Sequence, residues 1–332
     1  MNFGIIGYGK LGRLRHQVLE KMGAHSVLQV CDPTPVQGDF RYVADPEPLW
    51  ANPEVETVFV CTPNRFTKEY VIRSLDAGKH VFAEKPPGVS SQEVLEMMDA
   101  EKRNPGLKLM FGFNHRYHPS VVEARKRIAT GEFGRILWMR GRYGKSVDKT
   151  FFDSWRASKE QAGGGILLDQ GIHMLDLLML FADGFDEVKS FCSNLYWNLE
   201  VEDNVFALLK NNTNRIVASL HSTMTQWRHL FSLEIFLERG YMVINGLITS
   251  SMAYTTNWGK EVLSIAMNRT PPPQARHAQE ERFVYDEDGS WFAEMEDFFE
   301  VVQTDTPVRN GSTQDSLKLM EMIEHIYQDG GF

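Results

Sequence analysis

A short apolar strand running directly into a glycine-rich turn constrains this chain more than any other feature. Residues 2–12, NFGIIGYGKLG, set Gly7, Gly9 and Gly12 at G-x-G-x-x-G spacing, with Tyr8, Lys10 and Leu11 completing the turn. Each glycine answers a physical need. Gly7 permits the tight turn, Gly9 lets the backbone approach a pyrophosphate, and Gly12 lets the next helix pack closely on the strand. That helix, patterned by Leu11, Leu14, Val18, Leu19 and Met22, presents unpaired N–H groups and its positive dipole end to the phosphates. A second strand, Ser26 to Cys31, ends at Asp32, twenty residues after Gly12, where an acid binds the adenosine ribose hydroxyls. A carboxylate there welcomes a 2′-hydroxyl and repels a 2′-phosphate. No basic residue directly follows Asp32, so the expected cofactor is NAD rather than NADP.

Through about residue 115 the chain alternates strand and helix. Apolar runs at Gly4–Ile6, Val27–Val30, Thr57–Cys61, His80–Ala83 and Leu107–Gly112 are separated by helical patterns such as Lys68–Ala77 and Ser91–Arg103. This predicts an α/β Rossmann domain with a parallel sheet over residues 1–117. Beyond it the texture changes. A helix over Ser120–Thr130 leads to a strand around Ile136–Tyr143, and Gly163–Gly165 opens a helix running to about Phe181. Strand candidates then follow one another at Glu187–Trp197, Asn204–Lys210, Arg215–Thr223, Phe231–Leu237 and Tyr241–Ile244, with a hairpin turn at Glu238–Gly240. Strands without intervening helices predict an α+β domain over 118–332, built on a large open, mostly antiparallel sheet. Pro271–Pro273 and the charged stretch Glu280–Asp288 read as surface loop, and helices over Trp291–Gln303 and Ser312–Tyr327 close the chain.

At 332 residues there is enough chain for two full cores. A net charge of −9 and the lack of a strongly basic stretch speak against a nucleic-acid partner. No apolar run approaches the ~18 residues of a membrane span. The first strand begins at residue 2, so no signal peptide is expected. Cys31, Cys61 and Cys192 are odd in number and widely spaced, which suits small buried thiols better than a disulfide or a metal site. Together these features predict a cytoplasmic protein.

Three further segments carry chemistry. Thr62-Pro63-Asn64 follows the third long strand, at the end of a parallel sheet where ligands bind. Glu84-Lys85-Pro86-Pro87 ends the next strand. The prolines stiffen Lys85, whose ammonium there would sit near the nicotinamide edge and stabilise charge developing on a substrate oxygen, with Glu84 offsetting it; the alternative is a solvated surface lysine. Asp169, His173 and Asp176 share one face of a helix. A carboxylate beside an imidazole suits general acid/base chemistry. A structural histidine and a metal site remain the alternatives, though Asp-x-x-x-His supplies only two clear ligands. Trp155-Arg156 is placed to face substrate, whereas Trp227-Arg228 suits strand packing or a subunit contact.

The glycine turn, Thr-Pro-Asn, Ala77-Gly78-Lys79-His80-Val81 with Glu84-Lys85-Pro86, and Gly163-Gly164-Gly165 with Asp169-x-Gly171-x-His173-x-x-Asp176 stand in an order that resembles the Gfo/Idh/MocA family, that of glucose–fructose oxidoreductase and inositol dehydrogenase. The likeness covers nearly the whole chain, to the last helix near Ser312. It departs at Thr67, where many members carry a histidine. It implies that Lys85, Asp169 and His173 line the reacting centre. Gly112-Phe113-Asn114-His115-Arg116 matches a segment that often reads Asn-x-Arg, making Asn114 and Arg116 crevice residues unless they serve hinge packing. The implied activity is hydride transfer between NAD(H) and a hydroxyl or carbonyl of a sugar, polyol or related molecule held between the domains. Either His173 or Lys85 would take the hydroxyl proton, and Asp169 would orient His173 or bind a neighbouring hydroxyl. Arg116 and Arg156 suggest a sugar bearing a negative group, such as a sugar acid, sugar phosphate or nucleotide sugar. A non-catalytic sugar- or dinucleotide-sensing regulator and a reductase of a non-carbohydrate substrate are the alternatives. The open sheet predicts a homodimer or homotetramer.

Overall fold

The apolar runs of the first half pair edge to edge. Strands β1 (Asn2–Ile6), β2 (Ser26–Cys31), β3 (Arg41–Val43), β4 (Thr57–Val60), β5 (His80–Glu84) and β6 (Leu109–Gly112) form one sheet in the order β3-β2-β1-β4-β5-β6. Every neighbouring pair is parallel. The chain steps outward from β1 in both directions, so the crevice for a ligand opens at the carboxyl ends of β1 and β4. Helices α1 (Lys10–Met22), α2 (Glu47–Trp50), α3 (Asn64–Asp76) and α4 (Ser91–Arg103) make the connections. The start of α4 follows from its sequence: the Ser90 hydroxyl accepts the Glu93 N–H, one of the donors a helix start leaves without an intrahelical partner.

The computed structural model describes residues 1–23, 26–248, 260–267 and 279–332 and divides into two compact units. The first comprises 1–113, 160–163 and 291–321, the second 114–159, 164–290 and 322–332. The expected division into 1–117 and 118–332 is thus crossed twice. Helix α9 (Ser290–Thr304) explains the larger return. Its Phe298 ring meets Phe82 at 5.4 Å and Phe59 at 6.4 Å, so much of the apolar face of α9 is buried on the first sheet. No local pattern announces a partner more than two hundred residues back.

The second unit contains α5 (Pro119–Ala129), β7 (Ile136–Ser146), α6 (Lys149–Phe152), α8 (Ile172–Ala182), β8 (Glu187–Ser193), β9 (Asn204–Lys210), β10 (Val217–Thr223), β11 (Thr225–Leu237), β12 (Gly240–Asn245), β13 (Glu261–Met267) and β14 (Glu280–Tyr285). The short α7 (Lys159–Ala162) and the closing α10 (Thr313–Asp329) complete the elements. The eight strands run in the order β14-β13-β12-β11-β7-β10-β9-β8, antiparallel except between β10 and β7. The hairpin turn lies where expected, Leu237 pairing with Gly240. Glu280–Tyr285 is strand rather than loop. It lies at the sheet edge, where charged side chains are favoured, so its composition reads as loop. The expected strand ending at Trp197 stops instead at Ser193, and Pro271–Pro273 lie outside the described residues.

One face of this sheet is covered by α8. A side chain at Gly141 of β7 would collide with Met174 of α8, with a Cβ 2.6 Å from its sulfur, so glycine there sets how closely helix and sheet approach. The other face carries exposed Phe206 and Leu208, alternate residues of β9, beside Phe191 of β8. Contrary to expectation, Lys159–Ala182 is long and apolar enough by composition to cross a membrane. Its most apolar window is 78% buried inside the fold, which is how a core helix earns that composition.

Candidate active site

In the first unit the glycine turn has the form its spacing demands. Gly7 has φ +88°, and a Cβ there would stand 2.6 Å from the Cys61 carbonyl oxygen. A Cβ on Gly12 would stand 2.1 Å from the Gly7 carbonyl oxygen, so only glycine lets α1 lie this close to β1. Around Gly9 the space is open, as approach by a pyrophosphate requires. Lys10 and Leu11 form the first turn of α1, whose leading N–H groups have no intrahelical acceptor. Asp32 stands beside this turn: its carboxylate accepts the Tyr8 N–H at 2.7 Å and the Thr34 N–H at 2.9 Å. Tyr8 donates or accepts at His16 Nδ1 over 2.6 Å and packs against Phe40 and Arg13. The buried Thr62 hydroxyl, whose methyl group borders Gly7, has no hydrogen-bond partner among the described residues. An open glycine turn, an adjacent carboxylate and an orphaned hydroxyl fit a dinucleotide.

Two expected cofactor contacts are otherwise engaged. Asn64 is buried, and its amide donates to the Ala162 carbonyl at 2.7 Å. Glu84 is engaged by a buried arginine: its carboxylate lies 2.7 Å from Arg15 Nε, and Arg15 reaches Glu294 at 2.7 Å. A fully buried guanidinium demands such partners. The cluster had no local signal, since Arg15, Glu84 and Glu294 are dispersed along the chain. Burial pushes the Glu294 carboxyl up to about 7, with Arg15 opposing and Glu84 reinforcing the shift. Lys85 itself stands half-buried just past the carboxyl end of β5.

In the second unit the expected continuous helix begins with a π-helical turn, Leu167–Gly171, before α8. Such turns recur at functional sites. Asp169 lies within it, paired with Lys145 from the end of β7 and with Arg156 Nε at 3.4 Å. The Arg156 guanidinium also lies over the Trp155 ring at 4.4 Å, so of the expected pair it is Arg156 that reaches Asp169, with Trp155 against it. The ring of His173, 7% exposed, stacks on that of His115 at 3.8 Å with the planes 11° apart. His115 is held by Asn114 Oδ1 and the Tyr143 hydroxyl, each at 3.1 Å. The imidazole of His173 is therefore fixed in plane, as a proton-transfer group needs to be.

The start of this helix is anchored by Glu202, which is fully buried. Its carboxylate accepts the N–H groups of Gly165 at 2.6 Å and Leu167 at 2.9 Å and the Tyr327 hydroxyl at 2.9 Å. Burial pushes its carboxyl up to about 7 despite those hydrogen bonds. Burial and the nearby Lys145 push His229, which lies 3.3 Å from Gln170, down to about 4.

Asn114 and Arg116 are not open crevice residues. Asn114 donates to the Ser290 hydroxyl at 3.1 Å, and Arg116 grips Asp176 through Nε at 2.8 Å and a terminal nitrogen at 2.5 Å, both arginine and aspartate buried. Asp176 thus serves this ion pair, which removes Arg116 as a contact for the expected anionic substrate, whereas Arg156 meets Asp169 through Nε alone and stays partly exposed. Lys145, His115 and Glu202 were not foreseen. Lys145 alone had a local signal, a lysine ending a strand as Lys85 does. Among the described residues no group of three His, Cys, Asp or Glu side chains is placed to hold a metal ion.

Comparison with known proteins agrees with this layout. Residues 1–113 match an oxidoreductase family with an NAD-binding Rossmann fold, and residues 121–243 match the GFO/IDH/MocA C-terminal domain. D-glucoside 3-dehydrogenase of Escherichia coli is 36% identical over 148 residues, 44% of this chain and 41% of the relative, so the match spans under half of that enzyme. Inositol 2-dehydrogenase/D-chiro-inositol 3-dehydrogenase of Lactiplantibacillus plantarum is 25% identical over 256 residues, 72% of this chain and 70% of the relative. In structure, levoglucosan dehydrogenase in complex with NADH superposes with a TM-score of 0.87 over 100% of this chain and 97% of that one, at 23% identity, a likeness of fold.

Proposed function

This chain belongs to the Gfo/Idh/MocA family of oxidoreductases, and from that premise we propose that it is a dehydrogenase transferring hydride between NAD(H) and a hydroxyl or carbonyl of a neutral sugar or polyol. The observation that carries this reading is the Asp169 turn: a carboxylate held by two cations, four residues before an imidazole fixed by stacking. When bound, the nicotinamide supplies hydride acceptance and donation. The chain's own residues do the rest. Leading N–H groups of α1 hold the phosphates, and Asp32 accepts from the ribose hydroxyls, favouring NAD(H) over NADP(H). In the oxidative direction His173 takes the substrate hydroxyl proton, Asp169 holds a neighbouring hydroxyl and steadies the site, and the Lys85 ammonium stabilises charge growing on the reacting oxygen. Neutral substrates are favoured because Asp176 takes up the buried Arg116 and the Asp169 carboxylate offsets the charge of Arg156 and Lys145.

The exposed apolar face of the eight-stranded sheet supports a homodimer or homotetramer built through it. The three cysteines are free, which supports a reducing, cytoplasmic setting. Lys85→Ala tests the assignment. Turnover should fall by on the order of a hundredfold while the dissociation constant for NADH changes little. Near-normal turnover in a folded variant would return Lys85 to a surface role.

A further inference from the structure

Four aromatic rings of the second unit meet at the surface. Trp197 meets Phe152 edge-on at 5.5 Å, Tyr196 at 4.9 Å and Trp227 at 5.8 Å, and Tyr196 meets Trp227 at 5.2 Å. Trp227 is 62% exposed and Tyr196 63%. Singly exposed aromatics are ordinary, but a contiguous exposed patch of them marks a binding surface.

The patch is built rather than left over. Asp203, fully buried, accepts the backbone N–H groups of Leu195, Tyr196 and Trp197 at 2.8, 2.8 and 3.0 Å, which ties down the segment carrying two of the rings. The Trp197 indole N–H donates to the Met224 carbonyl at 3.0 Å. Trp227 sits where β11 loses register with β7, between Thr225 and Leu230, so its side chain is set by an irregularity in the strand. Rings held in place before binding spare a ligand the cost of ordering them.

Sequence neighbours of the patch meet the proposed reacting groups. Lys145, which pairs with Asp169, lies 5.9 Å from the centre of the Phe151 ring, next in sequence to Phe152. His229, two residues beyond Trp227, approaches Gln170, the neighbour of Asp169. We propose that this aromatic wall is a subsite for a second ring: the aglycone or adjoining sugar of a glycoside whose first ring is held at Asp169 and His173. Aromatic faces stack on aryl rings and on the C–H face of a pyranose, and a few polar groups nearby fix orientation. This rests on the dehydrogenase reading for the first ring and names a glycoside, rather than a free monosaccharide, as the substrate class.

The test titrates NADH-loaded protein by calorimetry with matched methyl and nitrophenyl glycosides of glucose, galactose and mannose, comparing wild type with Trp227→Ala and Tyr196→Ala. NAD⁺ reduction is followed with the same compounds. For at least one sugar the nitrophenyl glycoside should bind about tenfold more tightly than its methyl partner, as one stacked ring provides, and the ratio should fall to within about threefold in both variants. Equal affinities in the wild type, no binding by any glycoside, or a ratio that both variants preserve overturns the proposal. Conversion of a wild-type oligomer to monomer by Trp227→Ala overturns it too, assigning the wall to a second copy of the chain. Aryl-selective binding without NAD⁺ reduction upholds the subsite and removes the dehydrogenase reading. Reduction at equal efficiency with both glycosides does the reverse.

Discussion

Asp169 and His173 are four residues apart, yet they are secured by different means. The carboxylate is pinned by Lys145 and Arg156, and the imidazole by the face of His115, whose two nitrogens are engaged by Asn114 and Tyr143. Orientation of the His173 ring thus comes from buried neighbours rather than from the carboxylate alone. If His173 takes the proton, kcat/KM for oxidation should rise with pH through one ionisation and level off. His173→Asn should flatten that limb and slow the reaction by roughly a hundred- to ten-thousandfold. An unchanged profile would move the role to Lys85. Lys85, Asp169 and His173 stood out as candidates because each lies in a short stretch of glycines, prolines and charges. Their supports were not: Lys145 is 24 residues from Asp169 in sequence, Glu202 is 37 from Gly165, and nothing local reports such pairings.

At the scale of elements, the helix bearing these residues depends on its start. Gly165 lies so close to Glu202 that a Cβ would stand 2.0 Å from its carbonyl oxygen, and the Glu202 carboxylate takes up two N–H groups there. Its carboxyl releases its proton at about 7 in the fold against 4.5 in the open chain. Between those values the folded protein binds more protons than the unfolded one, so this group's contribution is complete below about 4.5 and is lost as pH rises through about 7. The melting temperature should therefore fall across that window, and fall less steeply in Glu202→Gln, which cannot ionise. Glu294 titrates in the same direction and leaves a residual slope. Because the amide cannot accept at both oxygens, Glu202→Gln should also cost roughly 1–3 kcal/mol throughout. Parallel curves for variant and wild type would mean that Glu202 is ionised at all these pH values. Glycine run and apolar period announced this helix, but the π-helical turn at its head is set by the packing of its neighbours, which composition does not record. The charged edge strand β14 escaped notice for the opposite reason, its composition being that of a loop.

At the scale of the whole molecule, alternation of strand and helix was enough to read the parallel sheet, and the run of strands enough to read the second. The return of α9 to the first sheet was hidden, because Phe298 finds its partners among residues far behind it. The open face of the second sheet has its own consequence. Phe206, half exposed and stacked at 3.8 Å on His221, lies amid Phe191 and Leu208. Phe206→Glu should leave the monomer folded and shift the mass measured by light scattering to that of one chain, whereas an unchanged oligomer would place the subunit contact elsewhere. The most direct test of the whole account is NADH formation by the intact protein across a panel of neutral sugars, polyols and glycosides, with NADP⁺ run alongside NAD⁺. The account predicts NADH from at least one neutral carbohydrate, with NAD⁺ favoured because Asp32 meets the ribose. Protein that binds NAD⁺ yet yields no NADH from any of them, or that turns over only anionic sugars, would contradict it.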